Sequence, residues 1–281
     1  MRNRLIILIL ILLKINIANS QDFVFESDSI EILEEGKITL AKNGVEINTT
    51  DGLNIKSNNS KYNKETSVIT FTDEVIFYDK IKDLIIKSNY IEYNKGLEKV
   101  FSKGLTVIEL NNNYVASGKD FIFLRNSQKI NSTKKVQVTD NLNNKLETSM
   151  FDYSILDQTL RTKDLVFIDK DSNKYFSSDA IIDLTTNKIA GKDIAVYFND
   201  KGMGKDPRLK GSSMVKEGDI TIVKNGIFTT CGIRNEKCPP WSMRSEVITH
   251  DANKNRIDYK KSTLLLYDKP VFYFPKFFHP D

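Results

Sequence analysis

Asn43-Gly44-Val45-Glu46-Ile47, followed by Leu53-Asn54-Ile55-Lys56-Ser57 and Lys61-Tyr62-Asn63-Lys64, decides the fold because it returns. About thirty residues on, in the range of stacked-repeat periods, stand Asp73-Glu74-Val75-Ile76-Phe77, Leu84-Ile85-Ile86-Lys87-Ser88 and Glu92-Tyr93-Asn94-Lys95. The two units match in kind and order. Weaker starts follow at Leu105, Val136, Leu165 and Ile194, so the spacings from Val45 are 30, 30, 31, 29 and 29. An aromatic or aliphatic residue recurs 17 or 18 positions after each complete start, at Tyr62, Tyr93, Phe123, Tyr153 and Ile182.

Stacking the starts gives three columns. Val45, Val75, Leu105, Val136, Leu165 and Ile194 form the first, and Ile47, Phe77, Val107, Val138, Phe167 and Val196 the third. Both are wholly apolar. The middle column, Glu46, Ile76, Thr106, Gln137, Val166 and Ala195, is mixed. Side chains alternate between faces along a strand, so the first and third columns share an apolar face. One unit cannot bury that face alone, whereas stacked neighbours make a continuous stripe. The expected fold is all-β, an elongated repeat-built pair of facing sheets. Its turns lie at points such as Thr50-Asp51-Gly52 and Asn94-Lys95-Gly96.

The N-terminus places the chain in the secretory path. Arg2 and Arg4 precede an unbroken apolar run from Leu5 to Leu13, and Ala18-Asn19-Ser20 offers small residues for cleavage. That run is too short to span a bilayer and fits a signal peptide. Residues 1–20 are assigned to the leader, 21–200 to the repeat domain, and 201–281 to a linker and further strands. Removing Arg2, Arg4 and Lys14 lowers the basic count from 41 to 38 against 37 acidic residues, so nucleic acid is not an expected partner.

Enzymatic readings are poorly supported by the residues. The chain has 2 histidines, His250 and His279, and neither adjoins a nucleophile motif. Lys201-Gly202-Met203-Gly204-Lys205 has the composition of a phosphate loop but not its spacing, and reads as a turn. No cofactor and no metal site is expected. The enzymatic rival is a polysaccharide-degrading β-solenoid using paired carboxylates, and the structural rival is an adhesin-like solenoid with a filled interior that binds protein partners.

The C-terminal third carries more specific elements: Phe228-Thr229-Thr230-Cys231, then Trp241, Ser245, Glu246, His250 and Asp251, then the run Pro270 to Asp281, Pro-Val-Phe-Tyr-Phe-Pro-Lys-Phe-Phe-His-Pro-Asp. These resemble the LPS-assembly outer-membrane protein family, LptD, also called organic solvent tolerance protein. The repeats resemble its OstA-like module. The resemblance implies a β-jellyroll or β-taco that receives the acyl chains of lipopolysaccharide at the periplasmic face of the outer membrane. It also implies end-on strand pairing with a periplasmic bridge protein of similar β-fold. In the family a transmembrane β-barrel follows the proline-rich run and holds an outer-membrane lipoprotein plug. The barrel's absence here makes the expected object the N-terminal portion of a longer chain. On this reading the lipid-contacting residues are Ile55, Phe77, Ile86, Val107, Phe121, Phe123, Val138, Phe167 and Val196.

Cys231 and Cys238 form an even pair in an exported chain and read as a disulfide. Family members also tie this domain to the barrel through cysteines, so pairing with residues beyond this chain is the alternative. The aromatic group Phe272, Tyr273, Phe274, Phe277 and Phe278 suits either a membrane interface or packing against a barrel base.

Overall fold

A bend in the middle of each long strand organises the molecule. In the computed structural model, which describes residues 24–111, 113–199, 206–232 and 240–280, neighbouring strands pair antiparallel throughout. The strands Ile38–Asn48, Leu53–Asn63, Val68–Asp79 and Leu84–Asn94 pair along their whole length except near the centre, where the register slips. One such slip falls between Lys42 and Val45 and another between Thr72 and Val75. Asn43, Gly44, Asp73 and Glu74 take positive φ there, the bulge geometry that Gly, Asn and Asp adopt most readily. Asp120, Asp164, Asp193 and Asn225 take the same conformation later in the chain.

Each bulge turns the strand from one wall of the fold to the other. Phe77 pairs with Ile86, and Tyr93 pairs with Ile69 further along the same two strands. At about 3.3 Å per residue, Ile86 and Tyr93 would stand roughly 23 Å apart on a straight strand. The Phe77 and Tyr93 rings nevertheless meet at 6.0 Å, edge to face. The sheet is therefore folded on itself, with a first wall containing 59–63 and 68–72 and a second wall containing 53–57 and 75–79. In the third and fourth units the corner breaks the strands outright, as between Lys99–Ser102 and Leu105–Leu110.

A column of hydroxyls holds the corner. Ser57 donates to Asn59 O (2.9 Å), Ser88 to Leu105 O (3.1 Å), Thr148 to Lys163 O (2.6 Å) and Ser177 to Lys192 O (2.7 Å). All four side chains are buried. A bulge leaves backbone groups without a ladder partner, and a buried orphan is costly, so a small hydroxyl facing inward at each corner supplies the missing bond.

The walls end in turns that stack on one another. Along the first rim the amides of Lys64, Lys95, Arg125, Ile155 and Leu184 donate to carbonyls of the preceding turn at 2.8–3.0 Å. Along the second rim Lys80, Asn111 and Asn141 do the same at 3.0–3.2 Å. The outward faces carry exposed pairs such as Lys56–Glu46 and Lys87–Glu109, each worth little.

One finding differs from the sequence reading. In the third unit Thr106 and Ile108 face inward, while Leu105 is 76% exposed and Val107 sits opposite the exposed Lys87. The corner is as long as in the preceding unit, from Phe71 to Val75 and from Ser102 to Thr106, but the 80–83 turn is one residue longer than the 50–52 turn, so the inward residues fall 31 positions after Val75 and Phe77. The stretch read as linker and strands contributes Arg208–Glu217, Ile220–Thr229, Trp241–Asp251, Arg256–Leu266 and Lys269–Pro280, all paired onto the same stack. The leader, the 201–205 turn and Cys238 lie outside the described residues.

Replacing Thr148 by valine should lower the unfolding free energy by about 1–3 kcal/mol, the usual cost of orphaning buried polar groups, as read by urea titration. Ser60, whose buried hydroxyl has no partner, is the control: Ser60→Ala should leave stability nearly unchanged.

Candidate functional site

The space between the walls is not uniform. Over the first units it is solid: Phe71, Phe77, Phe121, Phe123, Ile55 and Ile86 are each no more than 1% exposed. Phe121 meets Phe151 edge to face at 6.0 Å, and beyond that contact the interior opens. A cavity of about 360 Å³ lies there, within the size range of small-molecule sites. Its walls are Tyr114, Ala116, Val138, Leu146, Phe151, Tyr153, Leu165, Phe167, Ile182 and Ile189, and its mouth is framed by Asp140, Leu142, Asn144, Asp183, Leu184 and Asn187. A small extension of about 30 Å³ runs past Phe167, Tyr175 and Met214. The cavity thus separates the N-terminal core from a second core built on Val196, Val223, Phe228, Ile248 and Tyr259.

The nine residues expected to touch lipid are distributed unevenly over this interior. Val138 and Phe167 line the cavity. Ile55, Phe77, Ile86, Phe121 and Phe123 are buried in the packed N-terminal core, and Val196 in the second core. Val107 stands on the outer face. Tyr114, Ala116, Leu146, Phe151, Tyr153, Leu165, Ile182 and Ile189 also line it without having been singled out as contacts. Val115, opposite Glu109 on the outer face, makes the strand around Tyr114 hard to phase from sequence.

The mouth carries two carboxylates on opposite rims. Asp140 accepts from the amides of Leu142 and Asn144 (both 2.9 Å) and from Asn144 Nδ2 (2.7 Å), so both oxygens hold its own turn. Asp183 accepts from the Thr185 hydroxyl and from the amides of Thr185 (2.9 Å) and Thr186 (3.1 Å). The Thr185 and Thr186 bonds hold its carboxyl down at about 2. A glycosidase needs one carboxyl raised enough to carry a proton; Asp183 is shifted the other way.

A second cluster sits at the seam of the N-terminal units. Arg125, 6% exposed, donates through Nε to Asp79 Oδ2 (3.0 Å) and through Nη1 to Asp51 Oδ2 (2.9 Å) and to Glu98. Tyr93 Oη donates to Glu98 Oε1 at 2.8 Å. Lys82 Nζ adds a contact to Asp79 Oδ2 at 3.3 Å. Asp51 and Asp79 belong to the second rim, whereas Arg125, Glu98 and Tyr93 belong to the first, so the guanidinium bridges the two. Burial alone would disfavour the charge on Arg125, but bonds to Asp79 and Asp51 outweigh it and raise its pKa above the usual value. Burial likewise opposes ionisation of Asp51, and hydrogen bonds from Thr49 and Arg125 overcome it, holding the carboxyl below 3.8.

Cys231 is half-buried just after the strand Ile220–Thr229, with its amide on Thr229 Oγ1 at 3.1 Å. On the last strand Phe274 and Phe277 pack on the second core, while Phe272, Tyr273 and Phe278 are 56–62% exposed. His279 Nε2 lies 2.9 Å from Tyr259 Oη. Among the described residues no group of His, Cys, Asp and Glu is arranged to hold a metal ion.

Arg125→Met should lower stability by about 3–5 kcal/mol in urea unfolding, because it takes the guanidinium away from the buried Asp79 carboxylate. The depressed Asp51 carboxyl stabilises the fold fully above its usual value of 3.8, and that contribution is lost as pH falls through the lower folded value. The wild-type urea midpoint should therefore drop as pH falls below about 4, and the drop should be smaller in Arg125→Met.

No protein-family model matches the sequence, and no curated protein matches it. Among solved structures the chain is similar to LptH of Pseudomonas aeruginosa, described as the LptA homologous periplasmic component of the conserved lipopolysaccharide transport device. That similarity amounts to 13% identity over 51% of this chain and 82% of that one, with a TM-score of 0.23.

Proposed function

We propose that this protein is an exported, non-enzymatic carrier that takes the acyl chains of lipopolysaccharide between its two walls on the way to the outer membrane. The observation that carries the reading is the apolar cavity left open beyond N-terminal units that are packed solid. Exposing hydrocarbon costs about 0.8 kcal/mol per methylene, or roughly 10 kcal/mol for an ordinary acyl chain. A dry, aromatic- and leucine-lined space removes that cost without covalent chemistry. The C-terminal resemblance, through Trp241, His250 and the Pro270–Asp281 run, supports the same reading and suggests the LptD-type place at the periplasmic face of the outer membrane.

The ends of the stack supply a docking edge for a bridge protein of similar β-fold. Among the described residues, Val24–Glu26 and Ser29–Leu33 each pair only with Ile38–Asn48, and Ile30 and Ile32 are 49% and 67% exposed. The last strand instead holds Pro270, Pro275 and Pro280, which lack the amide that an added strand would use. The N-terminal edge is thus the better acceptor for end-on pairing. A lipoprotein plug belongs to this picture only together with a barrel. The packed first units suit an adhesin-like solenoid equally well; the cavity at Val138 and Phe167 does not.

A photo-crosslinking residue placed at Val138 or Phe167 in growing cells should label lipopolysaccharide, and one placed at the outward Val107 should not. Labelling at neither cavity position would contradict the carrier reading.

A further inference from the structure

The five stacked first-rim positions change character along the chain. Lys64, Lys95 and Arg125 are basic, whereas Ile155 and Leu184 are apolar and pack against the core. Arg125 is the last basic member and turns inward across the seam to Asp51 and Asp79. Immediately behind it the interior is filled by Phe77, Tyr93, Phe121 and Phe123. Immediately beyond it, where Ile155 and Leu184 take over the rim, the cavity opens, with Leu184 at its mouth. Crossbar and packed core end together.

We propose that the Arg125–Asp51–Asp79 bridge is the end stop of the hydrocarbon site. It holds the two rims together over the N-terminal units and makes the cavity a blind pocket. A single hydrocarbon chain enters through the seam between the 140–144 and 183–187 turns, and it advances past Phe121 only when the bridge is broken. This rests on the carrier reading above and adds to it a direction of entry and a gate. Arg125 and Asp79 are buried on opposite sides of the seam. Separating the rims breaks the Arg125–Asp79 and Arg125–Asp51 bonds together, while Glu98 stays with Arg125 on the first rim and Lys82 with Asp79 on the second, so each side keeps a charge partner when open and regains the cross-seam bonds when closed. Two packings of the same seam, one bridged and one not, are the kind of bistable element that gates require.

The test uses the full chain and a diazirine-labelled hexadecanoic acid, with adducts located by peptide mass spectrometry. Wild-type adducts are expected on peptides holding Val138, Phe151 and Phe167 and not on those holding Phe71 and Phe77. In the double variant Arg125→Gln/Asp79→Asn, which keeps hydrogen bonding and removes the cross-seam charge pair, adducts at Phe71 and Phe77 should rise about tenfold, within the range of coupled sites. Asp51→Asn, a milder change, should move them in the same direction and serves if the double variant fails to fold. Equal labelling of Phe77 and Phe167 in the wild type, or adducts still confined to the cavity in a folded variant, would overturn the end stop and leave the carrier standing. Absence of adducts everywhere would remove both.

Discussion

Everything in this protein follows from bending each long strand at its centre. A flat antiparallel sheet built from these units would expose one apolar face along its whole length. The bulges at Asn43-Gly44 and Asp73-Glu74, and the strand breaks in the middle units, let the same sheet supply both sides of its own core. Residues from the two halves of one strand, such as Ile69 and Phe77, are then buried against each other's wall. The seam where the rims meet is the natural place for anything to enter, because only there are the walls not joined by backbone.

That geometry also determines what each part of the interior does. Where large rings fill the gap, as with Phe71, Phe77, Tyr93, Phe121 and Phe123, the walls are locked and the rims can be tied by a buried ion bridge. Where Ala116, Val138, Leu146 and Phe167 stand side by side on one wall, with Phe151, Tyr153, Leu160 and Ile182 on the other, space remains between them. A buried void lined by apolar groups loses dispersion contacts on every side, so an open region of this size in an otherwise dense core is a cost to stability. A ligand occupying it would recover those contacts.

Much of the architecture was legible because the repeat imposes its period on residues of every kind. The columns Val45–Ile47, Val75–Phe77 and Ile194–Val196 turned out to face inward, since strand alternation is strict wherever the ladder is regular. The alternation misled at Leu105 and Val107 because the 80–83 turn is one residue longer than the 50–52 turn, which a thirty-residue count does not reveal. The hydroxyls at Ser57, Ser88, Thr148 and Ser177 recur near the same period, yet their role depends on bulges that only coordinates display. The site was harder still. Arg125 lies 46 and 74 residues from Asp79 and Asp51, a separation that local patterning cannot bridge. Whether an inward apolar residue lines a void or a packed core depends on what stands across the fold, which is why Phe77 and Phe167 look alike in sequence and differ in place.

The central claim is that the unfilled space between the walls takes hydrocarbon. Calorimetric titration of hexadecanoate into the full chain at several temperatures tests it most directly, since burying apolar surface gives a negative heat-capacity change. The account predicts binding with that signature in the wild type and its loss in Val138→Trp, whose indole would occupy the cavity. Equal binding by the two proteins, or binding without a negative heat-capacity change, would contradict it.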